Sequence, residues 1–175
     1  MWKTLRQIAR TGIVTQPPPT GDGSLRLREA LQADIREILG RALCIRVVDS
    51  GSCNGCELEI QALNNPVYNL EGLGIRFVAS PRHADLLLVT GPVARNMDVA
   101  LRRTWDAMPD PKLVLATGDC AATGGIFGET YATRGRLASV IPVDIVVPGC
   151  PPAPERILAG ILAAIRASHA HPRSR

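Results

Sequence analysis

Aromatic side chains are scarce in this 175-residue chain: two Trp, two Tyr and two Phe, 3% of the total. A core therefore has to be built from Val, Leu, Ile and Ala, and a hydrophobic content of 46% supplies enough of them for one globular domain with extensions. No run of about 18 apolar residues occurs, which excludes a bilayer-spanning helix. The first ten residues, Met1-Trp-Lys-Thr-Leu-Arg-Gln-Ile-Ala-Arg10, hold neither an apolar stretch nor an Arg-Arg pair. That argues against an export signal and leads us to expect a cytoplasmic address. Disulfides are disfavoured there, so the five cysteines are read as metal ligands or core thiols. A concentrated basic block is also missing. The net charge of +4 comes from basic residues near both ends, a poor footprint for nucleic acid, and no nucleic-acid partner is expected. A basic face toward a membrane surface or an acidic partner suits it equally.

The chain begins with an N-terminal extension, residues 1–41. Within it, 2–10 has the pattern of a small amphipathic helix, with Trp2, Leu5 and Ile8 on one side and Lys3, Arg6 and Arg10 on another. Residues 11–24 form a Pro/Gly linker. Ser24 then caps a helix expected over 25–39, and Gly40 ends it. From residue 42 the pattern becomes strand, loop, helix, repeated. Strands are expected at 42–48, 75–79, 85–90, 112–116 and 144–147, with helices after the first, after the third over 94–108, and at the end over 154–165. These strands are continuous apolar runs, as in a parallel sheet covered on both faces. The spacing predicts an α/β three-layer sandwich over 42–166, followed by a short tail at 167–175.

Four of the cysteines sit in Gly/Pro-rich loops placed directly after expected strands. Cys53 and Cys56, in Gly51-Ser-Cys-Asn-Gly-Cys-Glu-Leu-Glu-Ile60, follow the first strand; Cys120 follows the fourth and Cys150 the fifth. Loops at the carboxyl ends of parallel strands share one edge, where such folds bind ligands. The four thiols should therefore converge. Two thiolates two residues apart reach one metal centre from a single turn, and a helix beginning at Cys56 adds its positive end. The spacing points to an iron–sulfur cluster and leaves open structural zinc, a redox C-x2-C pair and ordinary core thiols. The single C-x2-C pair fits poorly with the paired knuckles of zinc ribbons. Cys44, inside the first strand, reads as a small buried hydrophobe.

Three segments carry a resemblance. Gly51-Ser-Cys-Asn-Gly-Cys-Glu-Leu-Glu-Ile60, Ser80-Pro-Arg-His-Ala-Asp-Leu-Leu-Leu-Val-Thr-Gly-Pro92 and Ile141-Pro-Val-Asp-Ile-Val-Val-Pro-Gly-Cys-Pro-Pro152 together resemble a family shared by two kinds of complex. One is the small iron–sulfur subunit of energy-converting, membrane-bound [NiFe] hydrogenases, including those of formate hydrogenlyase type. The other is the B subunit (20 kDa subunit) of respiratory complex I. The resemblance covers about residues 42–166 and implies a flavodoxin-like fold carrying one [4Fe–4S] cluster. Cys53, Cys56, Cys120 and Cys150 fall on the family's four ligand positions. It further implies a large catalytic subunit, a ferredoxin-like iron–sulfur subunit and membrane subunits as partners, on the inner face of the cell membrane. The C-x2-C spacing is that of the hydrogenase branch, where the complex I branch has adjacent cysteines. A complex I-like quinone oxidoreductase or a nickel-free relative is the alternative, and a zinc-stabilised interaction module is the alternative of another class.

The neighbours of the cysteines give further expectations. Backbone N–H groups of Gly51, Gly55, Gly124, Gly125 and Gly149 are candidates to tune the cluster. Glu57 and Glu59, two apart on a helix, point to different faces. Glu57 reads as an acid favoured by the helix N-terminus, and Glu59 is the candidate proton-relay carboxylate. Asp49 and Asp119 are expected to hydrogen-bond within their loops. Arg82 and His83 are ordinary loop residues, with a contact to the site possible for His83.

Overall fold

The structure is a computed structural model that describes residues 2–11 and 23–170. Most of the linker expected over 11–24 and the end of the tail lie outside the described residues. Helix α1 spans Trp2–Thr11, where the amphipathic pattern placed it. Helix α2 (Gly23–Asp34) starts a residue before Ser24 and runs on through a widened π-type turn, Ile35–Leu39. Gly40, at φ +62°, stops it in the left-handed region.

Five strands follow: β1 (Leu43–Asp49), β2 (Ile75–Phe77), β3 (Leu86–Thr90), β4 (Leu113–Thr117) and β5 (Ile145–Val147). They form one sheet in the order β2-β1-β3-β4-β5, and every neighbouring pair is parallel. This is the strand order of flavodoxin-like doubly wound sheets. Helices α3 (Gly55–Ala62), α4 (Arg95–Ala107), α5 (Asp119–Thr123) and α6 (Pro154–Ala170) complete the sandwich. Central strand β3 is buried along its whole length, which is why it reads as an unbroken apolar run. Leu86, Leu87 and Leu88 are each 0% exposed, and each contributes about 2 kcal/mol by leaving water.

Strand alternation sends Ile45, Leu88, Leu115 and Val147 to one face, where they pack with residues of α3 and α6. Val48, Val89, Val114 and Ala116 go to the other, against Leu101 of α4 and Ala121 of α5. Two features depart from expectation. Helix α5 was not foreseen, and α6 continues past 165 to Ala170. An ion pair between Arg166 and Asp34 of α2, at 2.6 Å, anchors that extra turn. Because all five strands run one way, the exits of β1, β3, β4 and β5 line a single edge, and the cysteine loops start there.

Candidate metal centre

The loop after β1 is folded by its own side chains. Asp49 Oδ1 accepts hydrogen bonds from the N–H of Gly51 at 2.8 Å and of Ser52 at 2.7 Å. This closes an Asx-type turn and confirms the expected loop role of Asp49. Asn54, at φ +71°, reverses the chain into α3. Glu57, in the first turn of α3, is more than a helix-terminal acid. Ser52 Oγ donates to its Oε2 at 2.5 Å, and Thr90 Oγ1 at the end of β3 donates to its Oε1. The carboxylate thereby clamps the cysteine loop onto the sheet edge.

The other two cysteines are coupled through Asp119. Its Oδ1 accepts from Gly149 N–H at 2.8 Å, and its own N–H donates to Gly149 carbonyl oxygen at 2.9 Å. One residue thus ties the helix bearing Cys120 to the turn bearing Cys150. Gly118 links β4 to α5 at φ +89°, and a Cβ placed on it would lie 2.6 Å from Cys56 Sγ. A Cβ on Gly125 would lie 2.8 Å from Cys120 Sγ. The two thiols occupy space that only glycine leaves free.

Cys56 is buried, Cys120 half-buried, and Cys53 and Cys150 are exposed. Their electrostatics place the other sulfurs within reach of Cys56. Burial first, then the charges of Glu57, Cys120, Cys53 and Cys150, push the Cys56 thiol up to about 12. Burial first, then Cys150, Cys53 and Asp119, also hold the Cys120 thiol above its ordinary value. A thiol cluster in which the neighbours raise the proton affinity of Cys56 and Cys120 is a donor set suited to a cationic centre, whose binding expels the protons. Among the described residues no group of three or more His, Cys, Asp or Glu side chains is arranged to hold a metal ion. In a cubane each thiolate binds a different iron, so its ligands need not crowd around one ion as zinc requires. The soft, all-sulfur donor set and the glycine-lined space fit an iron–sulfur cluster.

Several expectations are corrected. Of the glycine N–H groups offered as cluster donors, four are already engaged. Gly51 donates to Asp49, Gly149 to Asp119, Gly124 to the Cys120 carbonyl at 2.9 Å and Gly125 to Thr123 Oγ1 at 3.3 Å. Glu59 is half-buried, and its charge acts on Tyr68, whose hydroxyl donates to Glu155 at 2.7 Å; its part as a proton relay stays a proposal. Cys44 is half-buried at the opposite, amino edge of the sheet. There it lines a cavity of about 350 Å³ with Arg41, Arg82, His83, Asp85 and Pro109. This position excludes His83 from the thiol site. Sequence reasoning missed Thr90 and Thr117, the last residues of β3 and β4; both are fully buried at the thiol edge. A polar residue closing each of two apolar strands was the available signal.

Comparison with known proteins places these features in a lineage. The model of the family described as NADH ubiquinone oxidoreductase, 20 kDa subunit, matches residues 53–164. A probable membrane-bound hydrogenase subunit of Pyrococcus furiosus is 43% identical over 146 residues, covering 83% of this chain and 87% of the relative. Formate hydrogenlyase subunit 7 of Escherichia coli is 41% identical over 148 residues, covering 85% of this chain and 57% of the relative. Among solved structures, a chain of the membrane-bound sulfane sulfur reductase, an archaeal respiratory membrane complex, superposes with a TM-score of 0.64 at 35% identity. That match covers 81% of this chain and 78% of the other.

Proposed function

Since the chain belongs to the family of the 20 kDa subunit of NADH ubiquinone oxidoreductase, we propose that it is the electron-relay subunit of a membrane-associated, hydrogenase-type oxidoreductase. Cys53, Cys56, Cys120 and Cys150 hold one [4Fe–4S] cluster in this reading. The observation that carries it is that three loops on one edge of a parallel sheet bring Cys53, Cys120 and Cys150 within electrostatic reach of Cys56. When bound, the cluster supplies one-electron chemistry between a catalytic centre on a large subunit and further iron–sulfur carriers.

The protein's own groups make the site rigid. Asp49 shapes the first loop, Asp119 fixes the second to the third, and Glu57 clamps α3 to β3. Exposed Cys53 and Cys150 lie on the edge that also presents exposed Ile126, Tyr131 and Leu58. That apolar surface is where the large subunit docks and shields the cluster from water. A ferredoxin-like subunit takes the electrons onward, and the chain is peripheral on the inner face of the membrane. No helix among the described residues is long and apolar enough to cross a bilayer.

Hydrogenase subunits among the relatives, together with the C-x2-C spacing, favour a [NiFe] large subunit. The likeness to a sulfane sulfur reductase keeps a nickel-free complex as a second reading. Metal and sulfide analysis of the full chain tests the relay directly. We expect about four iron and four acid-labile sulfide per chain, with a paramagnetic signal after reduction. Stoichiometric zinc with no such signal would mean an interaction module in place of a relay.

A further inference from the structure

Thr117, the last residue of β4, is 0% exposed, and its Oγ1 finds no hydrogen-bond partner among the described residues. Its neighbours on the sheet are Thr90 and Val147. Alternation puts its side chain on the face of Leu115 and Val147, the one covered by α3 and α6. On that face Thr90 already spends its hydroxyl on Glu57, in the first turn of α3. The next residue, Gly118, is the one whose Cβ would lie 2.6 Å from Cys56 Sγ. The buried Thr117 hydroxyl therefore lies at the sheet edge from which the thiol loops leave, on the face covered by the helix that carries Cys56.

Several neighbouring donors are committed. Ser50 Oγ donates to Thr90 carbonyl oxygen at 2.6 Å, Ser52 Oγ to Glu57, and Gly51 and Gly149 to aspartates. A buried hydroxyl without an acceptor is unfavourable and calls for an explanation. A sulfur-rich anionic group bound above it would supply the missing acceptor.

We propose that Thr117 donates a hydrogen bond to the Cys56 side of the bound cluster and sets its reduction potential. The inference rests on the electron-relay reading. A donor to sulfur stabilises the added negative charge of the reduced state and so raises the potential.

The test uses the full chain with its cluster reconstituted from iron and sulfide, titrated electrochemically with detection by electron paramagnetic resonance. Thr117→Val keeps the shape and removes the hydroxyl; Thr117→Ser keeps the hydroxyl. We expect Val to make the reduced state about tenfold less populated at a fixed potential, a downward shift of about 59 mV for one electron, with Ser titrating like wild type. Thr117→Ala carries the same test should Val fail to fold. Equal potentials for Val and wild type, with the metal-free Val protein more stable, would overturn the inference alone, because that is how a merely unpaired hydroxyl behaves. A wild-type chain that takes up no cluster would overturn the relay reading and this inference with it.

Discussion

Replacing Gly118 by alanine probes the site where backbone and thiol compete for the same space. Gly118 has φ +89° and ψ 160°, a region that residues with a side chain rarely enter. Forcing alanine into it costs about 1–3 kcal/mol. The new methyl would also meet Cys56 Sγ at 2.6 Å and the Gly149 carbonyl oxygen at 3.4 Å. Carbon contacts are comfortable only from about 3.5 Å, so the thiol must retreat by about 1 Å, an overpacking cost of about 1–3 kcal/mol. The sum is about 2–6 kcal/mol, centred near 4. Gly40→Ala is the control: it too has positive φ, +62°, but nothing lies within 4 Å of its Cβ position. It bears only the left-handed backbone cost of about 1 kcal/mol. For a domain of this size each kcal/mol lowers the melting temperature by about 2–4 °C. Thermal melts of the metal-free chain should then show Gly118→Ala down by about 10 °C and Gly40→Ala by about 3 °C, with iron uptake lost in the first alone. Equal melting temperatures, or normal iron uptake by Gly118→Ala, would refute the packing argument.

Removing the Asp119 carboxylate (Asp119→Ala) should cost about 2 kcal/mol in denaturant unfolding, the worth of a charge-assisted hydrogen bond, and should speed cluster loss to a chelator; Asp119→Asn, which keeps an acceptor, should lose less. Asp98, 7% exposed, accepts from Arg102 at 2.6 Å and Arg134 at 2.9 Å and so joins α4 to the segment after α5. The hydrogen bond from Arg102 first, then the further attraction of both arginines, holds its carboxyl below the usual range. Its contribution is therefore complete above about pH 4, the unfolded value, and fades as pH falls through the depressed folded one. Asp98→Ala should cost about 2 kcal/mol at neutral pH and flatten the acid limb of the stability curve. Tyr68 shows the opposite sign: its hydrogen bond to Glu155, then burial and the charges of Glu155 and Glu59, push the phenol up to about 12. That contribution is full below about pH 10 and fades toward about 12, a loss that Tyr68→Phe should abolish in alkaline unfolding curves.

The parts legible in the sequence were those written in consecutive residues. The strands showed because β3 and its neighbours are buried on both faces and admit only apolar side chains. Once all strands were parallel, the meeting of the loops bearing Cys53, Cys56, Cys120 and Cys150 followed from topology. What escaped was short or non-local. Helix α5 has only five residues, Asp119–Thr123, too few to display a period. The last turn of α6 is fixed by Asp34, 132 residues away, and the role of Glu57 depends on Thr90, 33 residues away. The N–H groups of Gly51 and Gly149 looked available because the aspartates that engage them could be placed near the loops but not aimed.

The central claim is that thiols from three separate loops hold one cluster. Its most direct test is to replace each cysteine by alanine in turn and record the electron paramagnetic resonance of the reduced full chain. The account predicts a single cluster signal in wild type that is lost or altered in Cys120→Ala and Cys150→Ala as in Cys53→Ala and Cys56→Ala, and untouched in Cys44→Ala. An unchanged signal without Cys120 or without Cys150 would contradict it.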